Sequence, residues 1–274
     1  MTKDGVPDLT SGLTPDLTSG LTSGLTPELT RDAFLCGRLH LWQPRKGYRA
    51  ATDAVLLAAA CPATSGQRVL DLGCGVGAAS LCLAARVPAL AHWGLEVQGD
   101  YADLARRNAF ENGVALQVVT GDLAAMPAGL RLGFDHVMAN PPWYPRGGSP
   151  SPVKGRDTAL RAALPLADWV VAASRRLEPG GWLTMILGAD GLPEVLAACG
   201  TRLGSVAVLP LAARDGRPAL RVILRAKKGG RAAFRLLAPL ILHHGTAHAG
   251  DRESYTARAN DILRNGAALS AEFS

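Results

Sequence analysis

The sequence has no apolar run approaching the ~18 residues that a membrane-spanning helix requires. Its first residues lack the basic stretch and apolar segment of a secretory leader. Neither a membrane protein nor a secreted one is expected. Cysteine is sparse: Cys36, Cys61, Cys74, Cys82 and Cys199 are odd in number and form no CxxC pair. That argues against a disulfide framework and a thiolate zinc site, and for reduced thiols in a cytoplasm. Charged residues make up 19% of the chain against 48% hydrophobic, so a packed core is expected within the 274 residues. Acids become scarce after the first thirty positions. Residues 1–30 hold Lys3 against Asp4, Asp8, Asp16 and Glu28, leaving 28 basic and 19 acidic residues, net +9, in the remainder. A basic domain suits a polyanionic partner such as nucleic acid.

The first thirty residues are a degenerate repeat, "LTSGLTPDLTSGLTSGLTPELT". Its period is too short for a solenoid, and it has too few bulky side chains to bury a core. We expect residues 1–30 to be disordered and a folded domain over 31–274, with order beginning near Arg31 to Phe34. Thr52 or Asp53 is a suitable N-cap for the apolar helix Ala54–Ala60. An α/β rhythm then sets in. "QRVLDLG", "AHWGLEV", "LQVVTGD" and "FDHVMAN" read as strands, with helices at Ala78–Arg86 and from Asp100 to Asn112-Gly113. The helix "LPLADWVVAASRRL" with Pro165 in its first turn, the turn "EPGG" and the strand "WLTMILG" follow. A helix near Pro193–Ala198 and a hairpin of "SVAVLPL" and "LRVILRAKK" come next. The pattern predicts an α/β, Rossmann-like doubly wound sheet of seven strands. It is mostly parallel, with one antiparallel strand near the C-terminus.

"VLDLGCGVG" puts Gly73, Gly75 and Gly77 between a strand and a helix. A chain without Cβ atoms turns tightly and lets a ligand lie against its backbone. A dinucleotide and S-adenosyl-L-methionine are the competing ligands. The dinucleotide fingerprint is G-x-G-x-x-G, whereas the spacing here is G-x-G-x-G with Asp71 just before it. A carboxylate there suits ammonium and sulfonium charges better than pyrophosphate. Glu96 at the end of the second strand can hold ribose hydroxyls, and Asp122 at the end of the third can accept from an adenine amine. An ordinary tight turn with acids capping the next helices is the plainer alternative.

"NPPW" spans Asn140, Pro141, Pro142 and Trp143 at the end of the fourth strand. That is the edge carrying the glycine turn. The Asn140 oxygen and the Pro141 carbonyl can grip the two N–H groups of a planar amine and aim its lone pair at an activated methyl. The prolines fix φ and bring no competing N–H. Trp143 offers a face on which a displaced base can stack. A proline turn packed with aromatics is the structural alternative.

"VLDLGCGVG" followed by "NPPW" resembles the class I S-adenosylmethionine-dependent methyltransferases of planar amines. With "QPRKGYRAATDAVLLAAA" and "EPGGWLTMI", the chain from about Phe34 resembles the bacterial tRNA adenine-N6 methyltransferases that act on valine tRNA beside the anticodon. The resemblance implies catalysis by Asn140, Pro141, Pro142 and Trp143. It implies cofactor contacts at Asp71, Gly73, Gly75, Glu96 and Asp122, with Thr52-Asp53 packed over the methionine end. Gly77 completes the cofactor turn, and Asn140 borders the cofactor as well. Trp143 stands where the family more often has Tyr or Phe.

The expected function is N-methylation of adenine in RNA, with tRNA as partner, no metal and no membrane. Lys154, Arg156 and Arg161, in a Gly- and Pro-rich loop after the motif, are candidates for RNA contact. The run Arg225, Lys227, Lys228, Arg231 and Arg235 reads either as a solvated strand edge or as phosphate contacts. His243, His244 and His248 read as a solvated loop and Cys74 as a small filler. The rivals are a protein-glutamine or rRNA methyltransferase of the same chemistry, a non-catalytic RNA-binding module, and an NAD-dependent dehydrogenase.

Overall fold

The computed structural model describes residues 28–142, 164–245 and 254–274. Most of the N-terminal repeat, Trp143, Lys154, Arg156, Arg161 and His248 lie outside these residues. In chain order the elements begin with β1 (Leu29–Phe34), β2 (Leu39–Pro44), α1 (Thr52–Ala60), β3 (Arg68–Leu72) and α2 (Ala78–Arg86). Next are β4 (Ala91–Glu96), α3 (Gly99–Glu111), β5 (Leu116–Thr120), β6 (Phe134–Ala139) and α4 (Leu166–Arg176). Then come β7 (Leu177–Gly188), α5 (Leu192–Cys199), β8 (Leu203–Ala212) and β9 (Arg221–Lys228). β10 (Arg235–Leu236), β11 (Leu240–Ile241) and α6 (Ala257–Asn265) end the chain.

The main sheet has the order β5-β4-β3-β6-β7-β9-β8. β9 runs antiparallel to both of its neighbours, and the other pairings among these strands are parallel. The expected seven strands with one reversed are therefore present. Two short strands, β10 and β11, add parallel pairings to the outer edge of β8 and place the apolar segment Phe234–His244.

Alternation along the strands explains the two faces. Val69, Met138 and Ile223 point into a core shared with α1 and α2. Leu70, Leu72, Val137 and Leu224 point into the other core, beneath α4. α1 is almost wholly apolar because it is enclosed: all seven residues Ala54–Ala60 are buried.

Several local expectations change. Ala51, not Thr52 or Asp53, is the N-cap of α1; those two are its first helical residues, and Asp53 is ion-paired with Arg221 instead. Pro165 is an N-cap and not a first-turn residue. "EPGG" is not a free turn but an irregular stretch inside β7, where the pairing with β6 slips between Phe134 and His136.

The β1–β2 hairpin had no counterpart in the sequence reading. It docks on α3 through two asparagines. Asn108 accepts from Trp42 N at 2.7 Å and donates to Trp42 O at 3.1 Å. Asn112 does the same for His40, at 3.0 and 2.8 Å. Side-chain amides thus satisfy backbone groups that a further strand would otherwise take. This docking delivers the segment after β2 to the C-terminal edge of the sheet.

Candidate active site

Register aligns the site. Leu72 pairs with both Leu95 and Ala139. The next residues, Gly73, Glu96 and Asn140, therefore stand in one row at the C-terminal edge, with neighbouring strands ~4.8 Å apart. In open α/β sheets the ligand crevice lies outside this edge.

The glycine turn takes the conformation that only glycine adopts freely. Gly73, Gly75 and Gly77 have φ of +65, +56 and +83°. A Cβ on Gly73 would lie 2.6 Å from the ring of Trp169 on α4. Cys74 is buried, and its Sγ fills the space beside Gly94, where a Cβ would come within 2.7 Å. Burial holds its thiol well above the ordinary range, consistent with a filler.

Two buried carboxylates flank the turn. Asp71, 2% exposed, accepts from the Ser80 hydroxyl at 2.8 Å. Burial pushes its pKa up to about 7, the Ser80 hydrogen bonds oppose this, and Glu96 adds to the rise; no protein cation is among the causes that lower it. Glu96 accepts from Gly75 N and from Gln98 N, both at 2.9 Å. Burial raises its pKa, against the pull of those backbone hydrogen bonds. Uncompensated buried acids beside a glycine cradle fit a cationic ligand that lies against backbone, as S-adenosylmethionine would.

Asn140 directly follows β6, and its Nδ2 donates to the Tyr48 hydroxyl at 3.4 Å. Tyr48 was not among the residues singled out from sequence. A Cβ on Gly75 would lie 3.4 Å from its ring. Asp53 is 3.0 Å from Arg221 Nε at the start of β9, which ties the first turn of α1 to the sheet edge. Asp122 is exposed, two residues beyond the end of β5, and accepts from Ala124 N at 2.8 Å. It closes a loop and does not end the strand.

The basic run divides. Arg225 is 7% exposed, donates through Nε to Ala60 O at 2.6 Å and lies 3.8 Å over the Phe273 ring. It is neither a solvated edge nor a phosphate contact. Arg235 donates to Phe273 O and Ser274 O near the chain end. His243 stacks on Tyr255, with centroids 4.6 Å apart, rather than standing free in solvent.

Fold and site together define a class I S-adenosylmethionine-dependent methyltransferase. Residues 50–193 match the family model of the methyltransferase small domain. The chain belongs to that family. It is 29% identical over 206 residues to the tRNA1(Val) (adenine(37)-N6)-methyltransferase of Aeromonas hydrophila, covering 72% of this chain and 84% of that one. It is 32% identical over 195 residues to the protein of the same name from Porphyromonas gingivalis, covering 65% and 76%. Among solved structures, a predicted O-methyltransferase from Agrobacterium tumefaciens superposes with a TM-score of 0.64 and 30% identity. The match covers 79% of this chain and 98% of that one. Among the described residues no helix is long and apolar enough to cross a membrane, and no group of three His, Cys, Asp or Glu side chains could hold a metal ion.

Proposed function

We propose that the chain methylates the exocyclic N6 amine of adenine in a tRNA, in the cytoplasm. The observation that carries this reading is the row of Gly73, Glu96 and Asn140 at one sheet edge, with Pro141 and Pro142 following. The basic balance of the chain and the names of its relatives support tRNA as the substrate.

The glycine turn gives S-adenosylmethionine a backbone surface to lie on. Asp71 would hold its positive end, Glu96 would take its ribose hydroxyls, and Asp122 would accept from its adenine amine. Thr52 and Asp53 would cover the methionine end, with Asp53 held by Arg221. When bound, the cofactor supplies a methyl group on a positively charged sulfur. The task left to the protein is to make an aromatic amine nucleophilic. Asn140 Oδ1 and the Pro141 carbonyl accept the two N–H groups, drawing the nitrogen lone pair out of ring conjugation and toward the methyl. After transfer the nitrogen sheds one proton to water. Pro141 and Pro142 hold these acceptors on a stiff backbone. Trp143, next in the chain, is assigned to stack the displaced base, and Lys154, Arg156 and Arg161 to contact RNA phosphates.

The test is an acceptor screen with labelled S-adenosylmethionine. Bulk unmodified tRNA and a glutamine-containing peptide are offered separately. Label in the tRNA, recovered as N6-methyladenosine, is expected. Label in the peptide and none in tRNA would replace this reading with its glutamine counterpart.

A further inference from the structure

An asparagine amide presents an oxygen on one side and an NH2 on the other, and only the oxygen accepts a substrate N–H. The motif supplies the amide but not its orientation. Asn140 Nδ2 donates to the Tyr48 hydroxyl at 3.4 Å, and Tyr48 comes from the connection between β2 and α1.

Tyr48 is itself held on two sides. The Tyr101 hydroxyl donates to its carbonyl at 3.2 Å. Its ring lies against the cofactor turn at Gly75. The chain entering it passes close to Tyr101: Gly47 has φ +110°, and a Cβ there would lie 3.1 Å from the Tyr101 hydroxyl. Tyr48 is 39% exposed overall, but the burial of its hydroxyl end raises its pKa, and Asp53, Asp71 and Glu96 add to the rise. The hydroxyl therefore stays neutral. A neutral tyrosine hydroxyl keeps oxygen lone pairs that accept from the Asn140 NH2.

We propose that Tyr48 is a positioning residue: its hydroxyl takes the Asn140 NH2 and so turns the Asn140 oxygen toward the substrate amine. The inference rests on the methyl-transfer reading above. It gives the segment before α1 a task in the chemistry, and it acts through Asn140.

The test is Tyr48→Phe, which keeps the ring on Gly75 and removes only the oxygen. Single-turnover methylation of tRNA, tRNA KM and S-adenosylmethionine affinity are measured together. The rate is expected to fall roughly tenfold, as for one lost orienting hydrogen bond, with KM and cofactor affinity unchanged. A second variant separates orientation from packing. Both ends of a carboxylate accept, so in an Asn140→Asp background Tyr48→Phe is expected to cost much less. A full rate in Tyr48→Phe overturns the proposal. So does a loss of cofactor affinity equal to the loss of rate, or the same rate penalty in the Asp background. Wild-type protein that methylates no RNA would remove the parent reading and this inference with it. An active wild type with an unaffected Tyr48→Phe removes the inference alone.

Discussion

Gly75 donates its backbone N–H to Glu96 Oε2 at 2.9 Å, joining the middle of the glycine turn to the end of the neighbouring strand. One carboxylate thus braces the turn and borders the place assigned to the cofactor ribose. Glu96→Ala removes both roles. The S-adenosylmethionine dissociation constant is expected to rise roughly 10- to 100-fold, the worth of one or two charge-assisted hydrogen bonds. Isothermal calorimetry measures it, and unchanged affinity would contradict the assignment.

Asp71 is expected to make cofactor binding depend on pH. Burial holds its pKa at about 7 in the free protein. A bound cation favours the carboxylate and lowers that pKa, so binding expels a proton wherever Asp71 begins protonated. Affinity should therefore rise with pH up to about 7 and level off above it. Titrations in buffers of different ionisation enthalpy should show proton release near pH 6. Asp71→Asn should flatten the profile, and a flat wild-type profile would refute the account.

His92 and His136 flank Val69 on the two strands beside β3. They are 2% and 3% exposed, and burial lowers both pKa values to about 4. The unfolded chain takes up protons near pH 6.5 while the folded one resists until about 4. The stability these residues contribute is full above the unfolded value and is lost as pH falls through this window. The loss is at most roughly 3 kcal/mol for each ring. Denaturant titrations of His92→Gln and His136→Gln should show a shallower decline with acid than wild type. Parallel curves would show that these rings do not drive the decline.

Arg225 separates structure from RNA contact. Its guanidinium serves the Ala60 carbonyl at the end of α1 and covers Phe273. Arg225→Met leaves a buried carbonyl without its donor, costing roughly 1–3 kcal/mol. A lower melting temperature is expected, with the salt dependence of tRNA binding unchanged. A reduced salt slope at unchanged stability would make Arg225 a phosphate contact after all.

Much of the architecture was legible because it is written locally. The limits of α2, Ala78–Arg86, agree with those read from sequence, since a glycine turn and an apolar periodicity bound that helix. The row of Gly73, Glu96 and Asn140 was also legible, because Glu96 ends a recognisable strand and Gly73 and Asn140 each directly follow one. What escaped depends on partners distant in sequence. The β1–β2 hairpin is held by Asn108 and Asn112, which read locally only as the body and cap of α3. Arg225 shares a run with Lys227 and Lys228, yet it faces α1 while its neighbours differ in burial. Tyr48 sits in a short polar stretch, and nothing in that stretch announces Asn140, 92 residues away.

The central claim is that Asn140 activates an adenine amine beside a bound methyl donor. Nucleoside mass spectrometry of unmodified tRNA treated with wild type and with Asn140→Ala tests it most directly, with cofactor affinity measured on the same preparations. The account predicts N6-methyladenosine from wild type and none above background from the variant, at equal S-adenosylmethionine affinity. Equal N6-methyladenosine from both proteins would contradict it.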